Sequence, residues 1–381
     1  MNYFTKKAKW IGLEEGGFFP TNCPAPAVEL RKAFRLDVLP NTAECLILGV
    51  GLYVLYINGK RVGDDVLSPA FTAYDKRALY LRYDVKEYLI EGENVIAVKL
   101  GNGFFNETVV GHWNVHLAPW RNTPRLLFEL FIDGESLIKS DDTWRARSNG
   151  ATVHNVLRTG EYYDARLEDG WKTGEYCDTG WRFAKTVRPA GGIVEEMLLP
   201  PVRECEHITP VAKWPTKRGV MYDFGKNIAG YVSLEGTAER GATVSLTHGE
   251  KLDGVELDTE NARYIVYAHP FARDRYTFSG GGVEKWRPSF VYHGFRYVEA
   301  IWEEGDGEYP ELVAHFVHTD LQKRGEFSCS DELMSWIYDA GMRSFLSNYQ
   351  GHPLDCCLGR VGFGRCQRQG QRCHDLRCSL G

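Results

Sequence analysis

No stretch of about 18 apolar residues occurs in this 381-residue chain, so a membrane-spanning helix is not expected. The N-terminus, MNYFTKKAKW, has two lysines but no apolar run behind them, which argues against a secretory signal. Cysteine is sparse before Asp355: only Cys23, Cys45, Cys177, Cys205 and Cys329. Scattered and odd in number, they read as free thiols of a reducing compartment, and a cytoplasmic protein is expected. A dominant charge of one sign is also missing. The net charge is −6 with both signs interspersed, so no global field recruits nucleic acid or an anionic membrane. His248, His293, His315, His318 and His352 show no metal-ligand spacing and read as satisfied hydrogen-bonding histidines. Gly101-Asn102-Gly103 and Gly280-Gly281-Gly282 neither open a helix nor carry a P-loop lysine, so they read as turns. Neither a cofactor nor a metal is expected.

Aromatics and glycine are plentiful: 10 Trp, 20 Tyr, 19 Phe and 40 Gly. That balance suits a strand-rich protein with tight turns. In CLILGVGLYVLYINGKRVG, apolar residues run to Ile57, and Asn58-Gly59 then supplies a type I′ hairpin turn, because both central positions need positive φ. Asp133-Gly134 predicts a second hairpin. Val95-Ile96-Ala97-Val98 reads as a buried strand, and Arg158–Trp171 and Cys177–Trp181 as irregular, aromatic-rich loops. Pro200, Pro201, Pro210 and Pro215 mark an extended connector, which places a domain boundary near residue 202. Beyond it, a turn at Glu239–Gly241 and a β-branched strand Thr243–Thr247 open a second strand set.

At Ser330 the period changes. Leu333, Trp336, Ile337, Ala340 and Phe345 fall near helical spacing. Ser330 is the expected N-cap, with Asp331 and Glu332 complementing the helix dipole. The expected fold is mainly β. Residues 1–202 and 203–318 form two β-sandwiches of jelly-roll or concanavalin-like type, 319–356 starts a helical domain, and 357–381 is a tail of different character.

"YINGKRVG" (Tyr56–Gly63) with "GENVIAVKLGNGF" (Gly92–Phe104) resembles the sugar-binding-like jelly rolls attached to many glycoside hydrolases. "GEYYDAR" (Gly160–Arg166), "YDFGKNIAGYVSL" (Tyr222–Leu234), "PSFVYHGFRYVEA" (Pro288–Ala300), "HTDLQKRGEFSCSDELMSWIYDA" (His318–Ala340) and "HPLDC" (His352–Cys356) together resemble bacterial α-L-rhamnosidases. The resemblance implies N-terminal β-sandwiches before an (α/α)6 barrel, and inverting hydrolysis of terminal α-L-rhamnose from a glycoside or oligosaccharide. Inversion needs a protonated acid and a base about 6.5–9.5 Å apart on opposite faces of the sugar, the acid with a raised pKa. Carried over residue by residue, the resemblance assigns sugar binding to Asp355, and His352 beside it is the histidine to watch. The family's arginine and acid glutamate fall on Gly359 and Arg360, and the family's base comes much later than residue 381. The chain is therefore expected to be the N-terminal part of such an enzyme, truncated and inactive, with no catalytic residue retained. The alternatives are a noncatalytic carbohydrate-binding module, or a related hydrolase of other sugar specificity.

The last 26 residues hold five cysteines and five arginines but one acid and no lysine. Their spacing gives no paired zinc motif, and only Phe363 could stack on a base. A one-base frame slip at Gly362-Phe363-Gly364 permits Gly-Asp-Ala and an Ala-rich run, which resembles the family's continuation; an out-of-frame tail is the expectation. The last 50 residues are expected to be poorly ordered or aggregation-prone. Glu161 and Asp164 are expected to cap turns or pair with Arg158 and Arg166. Trp113, Trp120, Phe104 and Phe105 are expected to pack in the core rather than form a sugar platform.

Overall fold

The computed structural model describes residues 3–14, 19–21, 23–110, 114–258 and 270–354. Asn58 and Gly59 take φ of 52° and 78° between strands Leu52–Ile57 and Lys60–Arg61, and Asp133 and Gly134 take 49° and 86° between Arg125–Ile132 and Glu135–Lys139. Both hairpins thus close on the turns their dipeptides specify. They belong to two sheets of an N-terminal sandwich. One is centred on Arg125–Ile132, Ala43–Val50 and Arg77–Asp84, the other on Val28–Leu36, Gly92–Gly101 and Leu52–Ile57. Leu30, Ile47, Leu55, Ile96, Val98, Phe128 and Trp144 fill the space between them.

The strand Gly92–Gly101 is buried on both faces. Val95 and Ala97 point away from the sandwich core, against Trp171 and Trp181. The aromatic-rich segment that reads as loop in sequence is thus a cover over the second face of this central strand. Arg31 locks it in place by donating to the Trp171 carbonyl at 2.9 Å and the Thr173 carbonyl at 2.7 Å.

The second unit is a 10-stranded sheet around a separate core of Tyr222, Phe224, Val232, Phe295, Val298 and Phe316. Its spine is Val220–Gly236, whose register shifts between Asp223 and Ile228. Gly225, with φ of 73°, sits inside that irregularity, and such a bulge bends a strand. The proline-bearing connector is not free chain. Val202–Ile208 pairs with Glu311–Thr319, and Ala212–Pro215 pairs with the spine through Pro215 opposite Val220. Proline is tolerated there because the strand lies at the end of the pairing.

Two strands that precede residue 202, Thr152–Val156 and Gly160–Asp164, extend the second sheet, the latter parallel to Arg273–Thr277. Gly160 allows the approach: its φ is 122°, and a Cβ there would lie 2.1 Å from the Arg273 carbonyl oxygen.

Gly230 is under similar constraint, since a Cβ would lie 1.8 Å from the His315 carbonyl oxygen. Gly230→Ala is expected to cost about 3 kcal/mol by forcing the strands apart. The urea midpoint reads this directly, and an unchanged midpoint contradicts it.

The helix spans Glu332–Ser347. Its N-cap is Asp331 rather than Ser330: the carboxylate accepts from the amides of Leu333 at 2.9 Å and Met334 at 3.2 Å. Leu333 and Trp336 are 63% and 66% exposed, so most of the apolar face meets no partner among the described residues. The last turn is tied down, with Leu346 against the second core and Arg343 donating to Glu206 at 2.9 Å. Among the described residues no helix is long and apolar enough to cross a membrane.

Candidate functional site

After the helix the chain returns to the end of Glu311–Thr319. Thr319 donates its amide to the Tyr349 carbonyl at 2.8 Å, its hydroxyl accepts from the Gly351 amide at 2.8 Å, and Gln350 donates to the Val317 carbonyl at 3.0 Å. This clamp delivers His352 to the seam between the two units. The imidazole lies 5.2 Å from the Phe71 ring and 6.3 Å from Phe104, and neither ring nitrogen has a partner. Burial pushes its pKa down. The cavity it lines with Pro69, Leu157 and Tyr292 is about 30 Å³, room for a water but not a sugar ring. Asp355 lies outside the described residues, as does the whole cysteine-rich tail.

Larger clefts among the described residues open to the surface. One, about 730 Å³, lies on the N-terminal sandwich beside Arg147, Asn149, Tyr176 and Trp181. Its best aromatic face is taken, because the Arg147 guanidinium sits 4.2 Å from the Trp181 ring centre. The other, about 980 Å³, runs between the helix and the second sheet, beside Trp336, Asp339, Lys226 and Glu250. Here Trp336 is exposed, and Glu206 is held by Lys226 at 3.2 Å and Arg343 at 2.9 Å. These two cations hold its carboxyl below the usual range despite partial burial. Such a cleft can bind a polar ligand, but Glu206 is a poor proton donor there.

Raised carboxyl pKa values mark proton donors. Glu29, Glu107 and Glu161 have them, all chiefly through burial, with Glu161 pushed up to about 7. Each is pinned inside the fold. Glu29 accepts from Arg147 at 2.6 Å and Glu107 lies 3.5 Å from Arg158. Glu161 accepts from the amides of Ser289 and Phe290 at 3.0 and 2.8 Å, which makes it a cap on the backbone of the neighbouring unit. Asp164 does pair with Arg166, at 2.8 Å. None of the three raised carboxyls lines either cleft. Phe104, Phe105 and Trp120 pack with Phe71 and Tyr74 in a core cluster, and Trp113 lies outside the described residues.

Histidines without ligand spacing in sequence are brought together by strand pairing. His318 donates Nδ1 to the Thr319 carbonyl at 2.8 Å. His315 bridges Glu204 and Ser233, and Glu204, His207 and His315 form one acid–histidine cluster; His248, Asp274 and His293 form another. Only the register of the second sheet reveals these sets.

Residues 39–206 match the α-L-rhamnosidase N-terminal domain family, and residues 214–315 match the bacterial α-L-rhamnosidase concanavalin-like domain. The chain belongs to the α-L-rhamnosidase family. An α-L-rhamnosidase of Formosa agariphila is 32% identical over 351 residues, covering 86% of this chain and 35% of that protein. The α-L-rhamnosidase structure from Dictyoglumus thermophilum superposes with a TM-score of 0.82 at 34% identity, covering 92% of this chain and 40% of that one. The Streptomyces avermitilis α-L-rhamnosidase complexed with L-rhamnose gives a TM-score of 0.81 at 30% identity, covering 89% and 33%. The chain thus spans about a third of the length of the curated α-L-rhamnosidases it matches.

Proposed function

We propose that this polypeptide is the β-sandwich portion of an α-L-rhamnosidase, a hydrolase of terminal α-L-rhamnose in glycosides, and that it does not catalyse hydrolysis by itself. The observation that carries this is the asymmetry of coverage: 92% of this chain superposes on a rhamnosidase of which it accounts for only 40%. The electrostatics agree. Inverting hydrolysis needs a proton-holding acid facing a base across an open cleft, and among the described residues the carboxyls with raised pKa are sealed in the fold.

In this reading the two units are a scaffold, and the clamp around Thr319, Gln350 and Gly351 presents the following segment. Asp355 binds rhamnose in the complete enzyme. His352, wedged against Phe71 and Phe104, is a positioning residue for that segment rather than a sugar ligand. The purified chain is expected to give no turnover of an aryl α-L-rhamnoside above buffer. Saturable release of the aryl group, surviving rigorous repurification, overturns the proposal.

A further inference from the structure

His248, Asp274 and His293 come from three strands adjacent in the second sheet, Thr243–Gly249, Arg273–Thr277 and His293–Glu304. Their side chains are buried, the Asp274 carboxylate completely. Asp274 Oδ1 accepts from His293 Nε2 at 3.1 Å and from the Glu161 amide at 2.8 Å. His248 donates Nδ1 to the Ala272 carbonyl at 3.2 Å. That bond assigns the tautomer and leaves His248 Nε2 as a lone-pair acceptor. It faces Asp274 Oδ2 at 3.9 Å, and neither atom has a hydrogen-bond partner.

Two buried acceptors facing each other without a proton between them are unfavourable as they stand. A cation removes the conflict. We propose that His248 Nε2, Asp274 Oδ2 and His293 Nε2 bind one divalent transition-metal ion of the zinc class, which bolts these strands together. Donors about 2.0 Å from one tetrahedral ion lie roughly 3.3 Å apart; His248 Nε2 and Asp274 Oδ2 stand 3.9 Å apart, and the ligand atoms of the three residues lie within 4.8 Å of one another, so small side-chain rotations bring them onto one ion. Two imidazoles and one carboxylate suit zinc or cobalt rather than calcium or magnesium.

The surroundings are those of a ligating histidine, whose remaining N–H is anchored on a carbonyl. The Glu161 amide orients the carboxylate in the same way. Ligation exchanges the His293 Nε2 hydrogen bond to Asp274 Oδ1 for a metal bond and moves the imidazole proton from Nε2 to Nδ1, with no net proton released. Three protein donors leave a fourth position for a water. The surface set Glu204, His207 and His315 is a weaker candidate, because the Arg287 guanidinium already contacts Glu204.

The test uses the whole chain, stripped with chelator, its cysteines alkylated and His207→Ala introduced, so that thiols and the surface set do not compete. Added cobalt is expected to bind at one equivalent, with a visible spectrum of nitrogen and oxygen ligation and no thiolate charge-transfer band. Asp274→Asn, which retains an acceptor for the Glu161 amide, is expected to weaken cobalt binding at least about 100-fold. Absence of that spectrum in the chain with the set intact, or equal affinity in the variant, overturns the proposal. Should Asp274→Asn fail to fold, the unsubstituted set still decides. Saturating zinc is expected to raise its melting midpoint by about 5 °C, and an unmoved midpoint refutes the site.

Discussion

Phe290→Ala is expected to destabilise the protein by about 4 kcal/mol, the range for an aromatic removed from a close-packed interior. The ring is 1% exposed and sits among Leu52 and Val54 of the N-terminal sandwich and Tyr231, Tyr292 and Val317 of the second unit. It meets the N-terminal sandwich at Gly101, where even a Cβ would lie 2.3 Å from the ring. The Lys99 ammonium stands 5.3 Å from its centre. The cavity left by truncation has rigid strands on both sides and cannot collapse readily. Because the ring joins the units, guanidinium unfolding followed at two sites should also lose coincidence, one unit melting before the other. A loss below about 1 kcal/mol, with transitions still coincident, means that the seam does not depend on this residue.

Acid is expected to weaken the same seam through His154, by about 3 kcal/mol between pH 6.5 and pH 4. His154 Nδ1 accepts from the Ala25 amide at 3.2 Å, so Nε2 carries the proton and donates to the Thr159 hydroxyl at 2.7 Å. Burial pushes its pKa from 6.5 down to about 4. A histidine held neutral in the fold binds its proton more readily when unfolded. Its contribution is therefore complete above pH 6.5 and is lost as pH falls through the folded value. His154→Gln keeps an acceptor for the amide and does not titrate. The stability advantage of histidine over glutamine should shrink by that amount across the window. Curves that stay parallel from pH 7 to pH 4 exclude the assignment.

The seam that Phe290 and His154 hold is a contact that linear patterns do not announce. The hairpin turns at Asn58-Gly59 and Asp133-Gly134, the buried run Val95–Val98 and the helix from residue 332 are legible because each depends on neighbours within a few residues. Positive φ, strand alternation and helical period are local properties. Even so, the N-cap moves from Ser330 to Asp331, since either side chain can accept the first amides and only the path of the chain chooses between them.

The family is legible for a different reason: its phrases run in order along both units. The same phrases imply that the catalytic acid is missing, because Gly359 and Arg360 stand where the resemblance puts an arginine and an acid. The class of fold, the local turns and the kinship can thus be read along the chain. That 152–164 extends the second sheet, that Glu161 holds the backbone of Ser289 and Phe290, and that His248, Asp274 and His293 meet emerge only once the strands are paired. Each of these joins residues far apart in the chain, by a parallel crossover, a domain seam or the register of neighbouring strands. Pairing across such distances is selected by the burial of whole faces, and no residue carries that information alone.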